Sequence, residues 1–298
     1  MGEKRKKQPV WPDGLSELFE HVTSIPANDE LELRVAVHDL QTFAVESSGD
    51  YQHIDAAILT SCSNIVRQAA QNLSLRTSEK QLNRFHSKPY IRSINALIRT
   101  LLPRLSSPQP GLCFDGLQLQ KCELDHIDLS GCSLRMADLS HCRLARTRLH
   151  RVDLRYANLM SATLTRANLS ESLMESCELD WCDLSHADLH RCQLMKADMG
   201  GSILSHADLS QAILSDTNLA NATLSHANLS HANLFAARLH FAKLHGSDLT
   251  GTGITPERLE NAGMETHADR GTIWGSDDDC CKRNPLDPAY YMEQQDLL

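Results

Sequence analysis

Three histidines, His186, His206 and His226, recur at intervals of twenty residues, and an aspartate follows the first two by two positions, at Asp188 and Asp208. Imidazole and carboxylate are the groups of acid–base pairs and of transition-metal sites, and an imidazole row also responds to pH. The histidine series runs back through Arg166 and Arg146 to His126, and the aspartate series through Asn168 and Arg148 to Asp128. Side chains so distant in sequence act together only if the backbone returns to one place every twenty residues.

The segment "SHADLSQAILSDTNLANATLSHANLSHANL", residues 205–234, carries Leu209, Leu214, Leu219, Leu224, Leu229 and Leu234, each five residues from the last. A helix turns through about 500° in five residues and scatters such leucines round its circumference, whereas a flat strand sends them alternately to opposite faces. Extended outward, the register runs from Phe114 to Ile254 as twenty-nine consecutive units, with Met replacing Leu only at 174 and 199. Two positions before each centre stands a small or modest apolar residue such as Ala137, Val152 or Ala187. The triplet Ala-[Asp/Asn]-Leu itself occurs seven times, starting at 137, 157, 167, 187, 207, 227 and 232.

In these residues the chain resembles the pentapeptide-repeat proteins, whose unit is A(D/N)LXX. The resemblance implies an all-β right-handed quadrilateral β-helix, in which five residues make one side of a square coil and twenty residues make one turn. Every centre, and the residue two before it, then points to the axis, and the other three face water. At a strand-like spacing of roughly 4.8 Å, about seven coils form a rod of roughly 35 Å, filled by Leu, Phe and Ala with no space for a substrate.

The ends of such a solenoid need covering. Residues 14–108 read as a small α-helical domain: Leu33, Val37, Leu40 and Phe43 share one helical face, Ile54, Ala57, Ile58, Cys62 and Ile65 a second beyond the turn "SSGD", and Ile91, Ile94, Leu97 and Leu101 a third. This segment resembles the helical module that precedes the repeats in many bacterial relatives, through Arg34, Val37, Leu40, Ser48, Asp50 and Val66-Arg67. Several of those relatives begin with paired membrane helices that find no counterpart here. The array is expected over residues 109–254, and a cap with an acidic tail over 255–298. There Pro256 opens a short helix and "THADRGTIWGSDDD" resembles the Thr-x-Trp closing segment of many arrays, with Trp274 as lid.

Composition narrows the classes. Aromatics are only 5% of the 298 residues, so the core must be Leu and Ala. No apolar run of about 18 residues and no secretory leader is visible, which makes the cytoplasm the default location. The basic start, residues 1–13, is expected to be disordered, and Lys6 stands where an acylation motif beginning at Gly2 wants Ser or Thr. Of the ten cysteines, Cys122, Cys132, Cys142, Cys177, Cys182 and Cys192 sit two before a centre, as small buried hydrophobes. No CxxC pair suggests zinc. Cys280-Cys281 lies in the polar tail.

Outside the rod, Asp188 and Asp208 can each lie near a histidine and partly neutralise it, although the residues favour a plain solvated surface. Charge is polarised along the array: residues 135–166 carry a net +5 through seven arginines, including Arg143, Arg146, Arg148 and Arg166, and residues 171–216 a net −7. Such polarity steers a partner or supports association of copies of the chain. No nucleophile–base arrangement or phosphate-cradling glycine loop is present, so a non-enzymatic interaction module without metal or cofactor is expected, with an unidentified protein partner. Its candidate surface is Arg143, Arg146, Arg148, Arg166, His186, His206, His226, Asp188 and Asp208. The alternative is a DNA mimic that occupies or protects an enzyme such as DNA gyrase, as some pentapeptide-repeat proteins do. That needs near-continuous acidic faces, which the arginine-rich coils interrupt. Direct nucleic-acid binding is not expected, because the exposed positions lack base-stacking aromatics.

Overall fold

A computed structural model of the chain describes residues 25, 32, 35–40, 52–70, 79–102, 111–261, 268 and 272. The basic start, the turn at 47–50, Trp274, Cys280-Cys281 and the acidic tail lie outside these residues, as do Leu33, Phe43 and the side chains of Ile54 and Ala57.

From Cys113 to Asp248, the residue before each centre forms a parallel bridge to the residue twenty positions on, from Cys113–Ser133 to Asn228–Asp248. The chain is a right-handed quadrilateral β-helix of seven coils. One unit shows how five residues become a side. Asn168 donates its N–H to Thr147 O of the coil before at 3.0 Å, Leu169 to Asp188 O of the coil after at 2.7 Å, and Glu171 to His190 O at 2.9 Å. Ser172 N–H closes a turn onto Leu169 O at 3.1 Å. The fifth donor, Ser170 N–H, goes to the Asn168 side-chain oxygen at 2.9 Å. Every backbone N–H of the unit is thus matched, as buried or half-buried amides require.

The corner residue, two after each centre, has positive φ throughout: Glu171 at 60°, His186 at 59°, Gly201 at 65°. A turn closed by an i to i+3 hydrogen bond with positive φ at its third residue has the type II form. A non-glycine residue costs about 1 kcal/mol or more in that conformation, and the inter-coil bonds on either side hold it there.

Inside, the centres and the residues two before them pack into a continuous core, with Leu169, Leu214 and Leu224 at 0% exposure. Each buried leucine contributes about 1.5–3 kcal/mol. Most hydroxyls and thiols at the small inward position donate to a core carbonyl: Thr147 Oγ1 to Leu124 O at 2.7 Å, Cys192 Sγ to Leu169 O at 2.9 Å. The rule that the other three positions face water has exceptions. Ser215 is 2% exposed, and Asp115, on the first coil, is 1% exposed beneath a bidentate pair with Arg135, at 2.9 Å to Nε and 2.5 Å to Nη2.

Helices α1 (Gln52–Ala70), α2 (Glu79–Ser87) and α3 (Pro89–Leu101) precede the array, with α3 packed against the other two. Residues 35–40 are also helical and bury Val37 and Leu40. Pro89 starts α3 directly after an extended Lys88, as its fixed φ and missing N–H favour. Ile91, Ile94, Leu97, Ile98 and Leu101 form the buried face of α3.

The first coil has no predecessor to accept its N–H groups, and the helices accept two of them. Cys113 N–H goes to Ser63 Oγ at 2.7 Å and Gln118 N–H to Asn95 Oδ1 at 3.0 Å. Arg67 and His86 reach the corner carbonyls of Gly111 and Gly116. At the far end α4 (Pro256–Asn261) begins at the expected proline, and buried Thr272 donates Oγ1 to Leu244 O at 2.7 Å.

Candidate interaction surface

The four corners of the square each carry a column of side chains twenty residues apart. On one of them His126, Arg146, Arg166, His186, His206 and His226 follow one another down six coils, all exposed. The rings of His186 and His206 stack with centroids 4.9 Å apart at 3°, and those of His206 and His226 at 5.0 Å and 10°. The column ends over Gly246, where an added Cβ would fall 2.5 Å from His226 Nδ1, so the glycine makes room for the last ring. The lone pairs of parallel stacked rings run side by side instead of converging on one point, and the described residues hold no cluster of three or more metal-ligating groups.

Asp188 and Asp208 lie on the side that follows this corner, with Arg148 in the same column. Neither pairs with a histidine ring among the described ion pairs and hydrogen bonds. Asp188 Oδ1 accepts His190 N–H at 3.1 Å, and Asp208 Oδ1 accepts Ser210 N–H at 2.9 Å and Asn228 Nδ2 at 3.1 Å. These carboxylates close turns, as the Asp or Asn before the centre does along most of the array.

Arg143 stands on the side that precedes the corner and pairs with Asp125 at 2.7 Å. Pairing also occupies Arg135 with Asp115, Arg148 with Asp128, Arg151 with Glu171 and Arg155 with Asp153. Five of the seven arginines in the basic band are therefore matched by carboxylates, and the band is less basic than its composition implies. Among the described residues no carboxylate lies within ion-pair distance of Arg146 or Arg166, so the two unmatched arginines of the band stand in the histidine column.

Two contacts have the residue types of a nucleophile and its base: His150 Nδ1 with Ser170 Oγ at 3.1 Å, and His190 Nδ1 with Ser210 Oγ at 2.8 Å. Ser170 Oγ gives its proton to Asn168 Oδ1 at 2.6 Å, so His150 is the donor there and cannot serve as base. Among the described residues no hydrogen-bonded carboxylate orients either imidazole, and both pairs lie on a convex side of the rod. An open groove of about 460 Å³ runs between α3 and the first coil, lined by Arg92, Asn95, Ala96, Arg99, Gln118 and Gln120.

The exposed positions do carry aromatics, which corrects the sequence reading: Trp181 is 69% exposed and Phe241 48%. Both occupy a corner, the outermost point of the square, and Trp181 lies against Gly201 of the next coil. Beside it, Asp180 is pushed up to about 6 by burial and by the neighbouring Asp198 carboxylate. The signal for this cluster lay in the sequence, as a Gly-Gly pair twenty residues after Asp180-Trp181.

The family model for pentapeptide repeats matches eight copies within residues 113–251, the span over which the coils are observed. The chain belongs to the pentapeptide repeat family. Pentapeptide repeat proteins of known structure align with it. HetL, involved in heterocyst differentiation regulation in the cyanobacterium Nostoc sp. strain PCC 7120, is 26% identical over 48% of this chain and 74% of its own, with a TM-score of 0.35. The pentapeptide repeat protein alr5209 from Nostoc PCC 7120 is 32% identical over 38% of this chain and 74% of its own, with a TM-score of 0.29. QnrB1, a plasmid-mediated fluoroquinolone resistance protein, is 17% identical over 55% of this chain and 94% of its own, with a TM-score of 0.29. Among curated proteins none matches the chain in sequence. No described helix is long and apolar enough to cross a membrane.

Proposed function

We propose that this pentapeptide repeat protein is a non-catalytic interaction module whose contact edge is the His126–His226 corner, and that its partner there is an acidic protein surface. The observation that carries the reading is the column itself: two guanidiniums and four imidazoles exposed on one straight edge, with Arg146 and Arg166 free of carboxylate partners among the described residues. Unpaired charges on a rigid edge need no rearrangement to meet a partner, which favours association rate and register. The helical domain ties onto the first coil through Ser63 and Asn95 and offers a second surface.

A duplex-mimicking role for the rod has less support. The column after the corner reads Asp128, Arg148, Asn168, Asp188, Asp208, Asn228 and Asp248, and its carboxylates bind their own backbone. Regular phosphate-like charge is not what such a column presents.

The test is a pair of affinity captures from source-cell lysate, with the full chain and its Arg146→Glu/Arg166→Glu variant as baits. A protein retained by the first and lost from the second supports the reading. Equal retention by both contradicts it, and a DNA-handling enzyme retained by both puts the mimic in its place.

A further inference from the structure

Three of the large exposed apolar side chains of the array gather by register at one other corner. Trp181 stands at that corner on the fourth coil, Met160 one position before it on the third, and Ile203 two positions past it on the fifth, at 69, 40 and 44% exposure. The indole is a fixed plate. A Cβ added to Gly201 would fall 2.8 Å from the ring atoms Cε3 and Cζ3, so the absence of a side chain there lets the ring lie down on the next coil. Gly200 does the same for the acids: its Cβ would fall 3.2 Å from the Oδ1 atoms of both Asp180 and Asp198. Two consecutive glycines thus seat a tryptophan and a carboxylate pair side by side.

Charge selects what fits this plate. From the third to the sixth coil, the bridge and corner-side positions of this side, with the first outward column of the next, carry Glu178, Asp180, Asp183 and Asp198 and no basic residue. Lys196 stands at the opposite corner of the side. Among the described residues none of the four acids has a cationic partner. Asp183 accepts hydrogen bonds from Ser185 N–H at 3.0 Å and Ser185 Oγ at 2.6 Å, and Asp198 from Asn218 Nδ2 at 2.7 Å. A partner that covers the indole must also bring positive charge, or it strands carboxylates away from water.

We propose that Trp181, flanked by Met160 and Ile203, is the docking plate for a basic segment of a partner protein, with the aliphatic stem of a lysine or arginine on the indole and its charge among Asp180, Asp183 and Asp198. An ammonium or guanidinium gains from the ring face, its methylenes gain from the apolar flank, and the carboxylates fix its position. Tryptophans so placed dominate interface energetics. This plate is opposite in charge to the His126–His226 edge across the intervening side, and it stands whether or not that edge binds an acidic partner.

The test measures fluorescence anisotropy of labelled octalysine with the full chain at physiological salt, with octaglutamate as the control probe. Trp181→Ser is the informative variant, because serine already occupies this corner at Ser161. Octalysine is expected to bind the wild type, to weaken about tenfold with Trp181→Ser, to be largely retained by Trp181→Phe, and to weaken with Asp180→Asn/Asp183→Asn. An unchanged Kd in Trp181→Ser, or insensitivity to the aspartate changes, would overturn the proposal. So would sedimentation in which the wild type is a dimer and Trp181→Ser a monomer, since a second copy would then hold the plate.

Discussion

Asp188 Oδ1 accepts the backbone N–H of His190, two residues further along the chain, at 3.1 Å. The same closure recurs along the array, at Asp128 with Ser130, Asn158 with Met160 and Asp248 with Thr250. It explains why the repeat wants Asp or Asn before the centre: that side chain supplies the acceptor for the one N–H that neither the ladder nor the turn satisfies. Asp188→Asn keeps an acceptor oxygen and is expected to leave the melting temperature within a degree or so. Asp188→Ala strands the amide, which costs about 1 kcal/mol and lowers the midpoint by roughly 2–4 °C. Equal melting curves for the two variants would remove the capping role.

The Trp181–Gly201 contact makes a coupled pair. Gly201→Ala adds a Cβ into the ring at a position where φ is +65°, and a loss of about 1–3 kcal/mol is expected. The left-handed backbone alone is tolerated, since Ala236 adopts a φ of 55° at an equivalent corner. In the Trp181→Ser background the same glycine change is therefore expected to cost clearly less. Additive losses in the double-mutant cycle would mean that the ring does not lie on Gly201.

Asp180 gives a stability signature with a definite sign. Burial and the Asp198 carboxylate raise it from 3.8 to about 6, so between about pH 4 and pH 6 the folded chain holds a proton that the unfolded chain has released. Stability from this group is fully present below its unfolded value and is lost as pH rises through about 6. Wild type should accordingly gain midpoint relative to Asp180→Asn as pH is lowered from 7 to 5. Parallel melting midpoints over that range would show that the folded chain does not raise Asp180.

The thiols differ in the same way. The neighbouring Cys142 thiol, with help from the Arg99 charge, holds Cys122 below the usual thiol range, whereas burial pushes Cys62, Cys182 and Cys192 up to about 12. Since the thiolate is the nucleophile, iodoacetamide at pH 7.5 should label Cys122 first among these four, as read by peptide mass spectrometry. Labelling of Cys192 ahead of Cys122 would contradict the arrangement.

The five-residue period made the coil legible, because the central residue plays one role at every level and leucine fills that role almost without variation. The faces of α3 were equally plain, since Ile91, Ile94, Leu97 and Leu101 follow helical spacing and all are buried. What each polar residue does was less visible. Asp188 reads as a free acid until the turn geometry brings His190 N–H to it. The net +5 of residues 135–166 belongs to a window of sequence, yet Arg135 meets Asp115 and Arg148 meets Asp128 across a twenty-residue step. Columns, not windows, carry the electrostatics of a solenoid, and only Arg146 and Arg166 among those seven remain without a carboxylate partner in the described residues.

We propose those two guanidiniums, with the histidines below them, as the contact edge of a binding module. Its most direct test is the anisotropy of labelled octaglutamate titrated with the full chain, with Arg146→Glu/Arg166→Glu, and with Arg148→Gln/Arg151→Gln as an ion-paired control. Weakening of about tenfold or more is predicted for the first variant and less than about twofold for the second. Equal loss in both variants, or none in the first, would contradict the assignment of this corner.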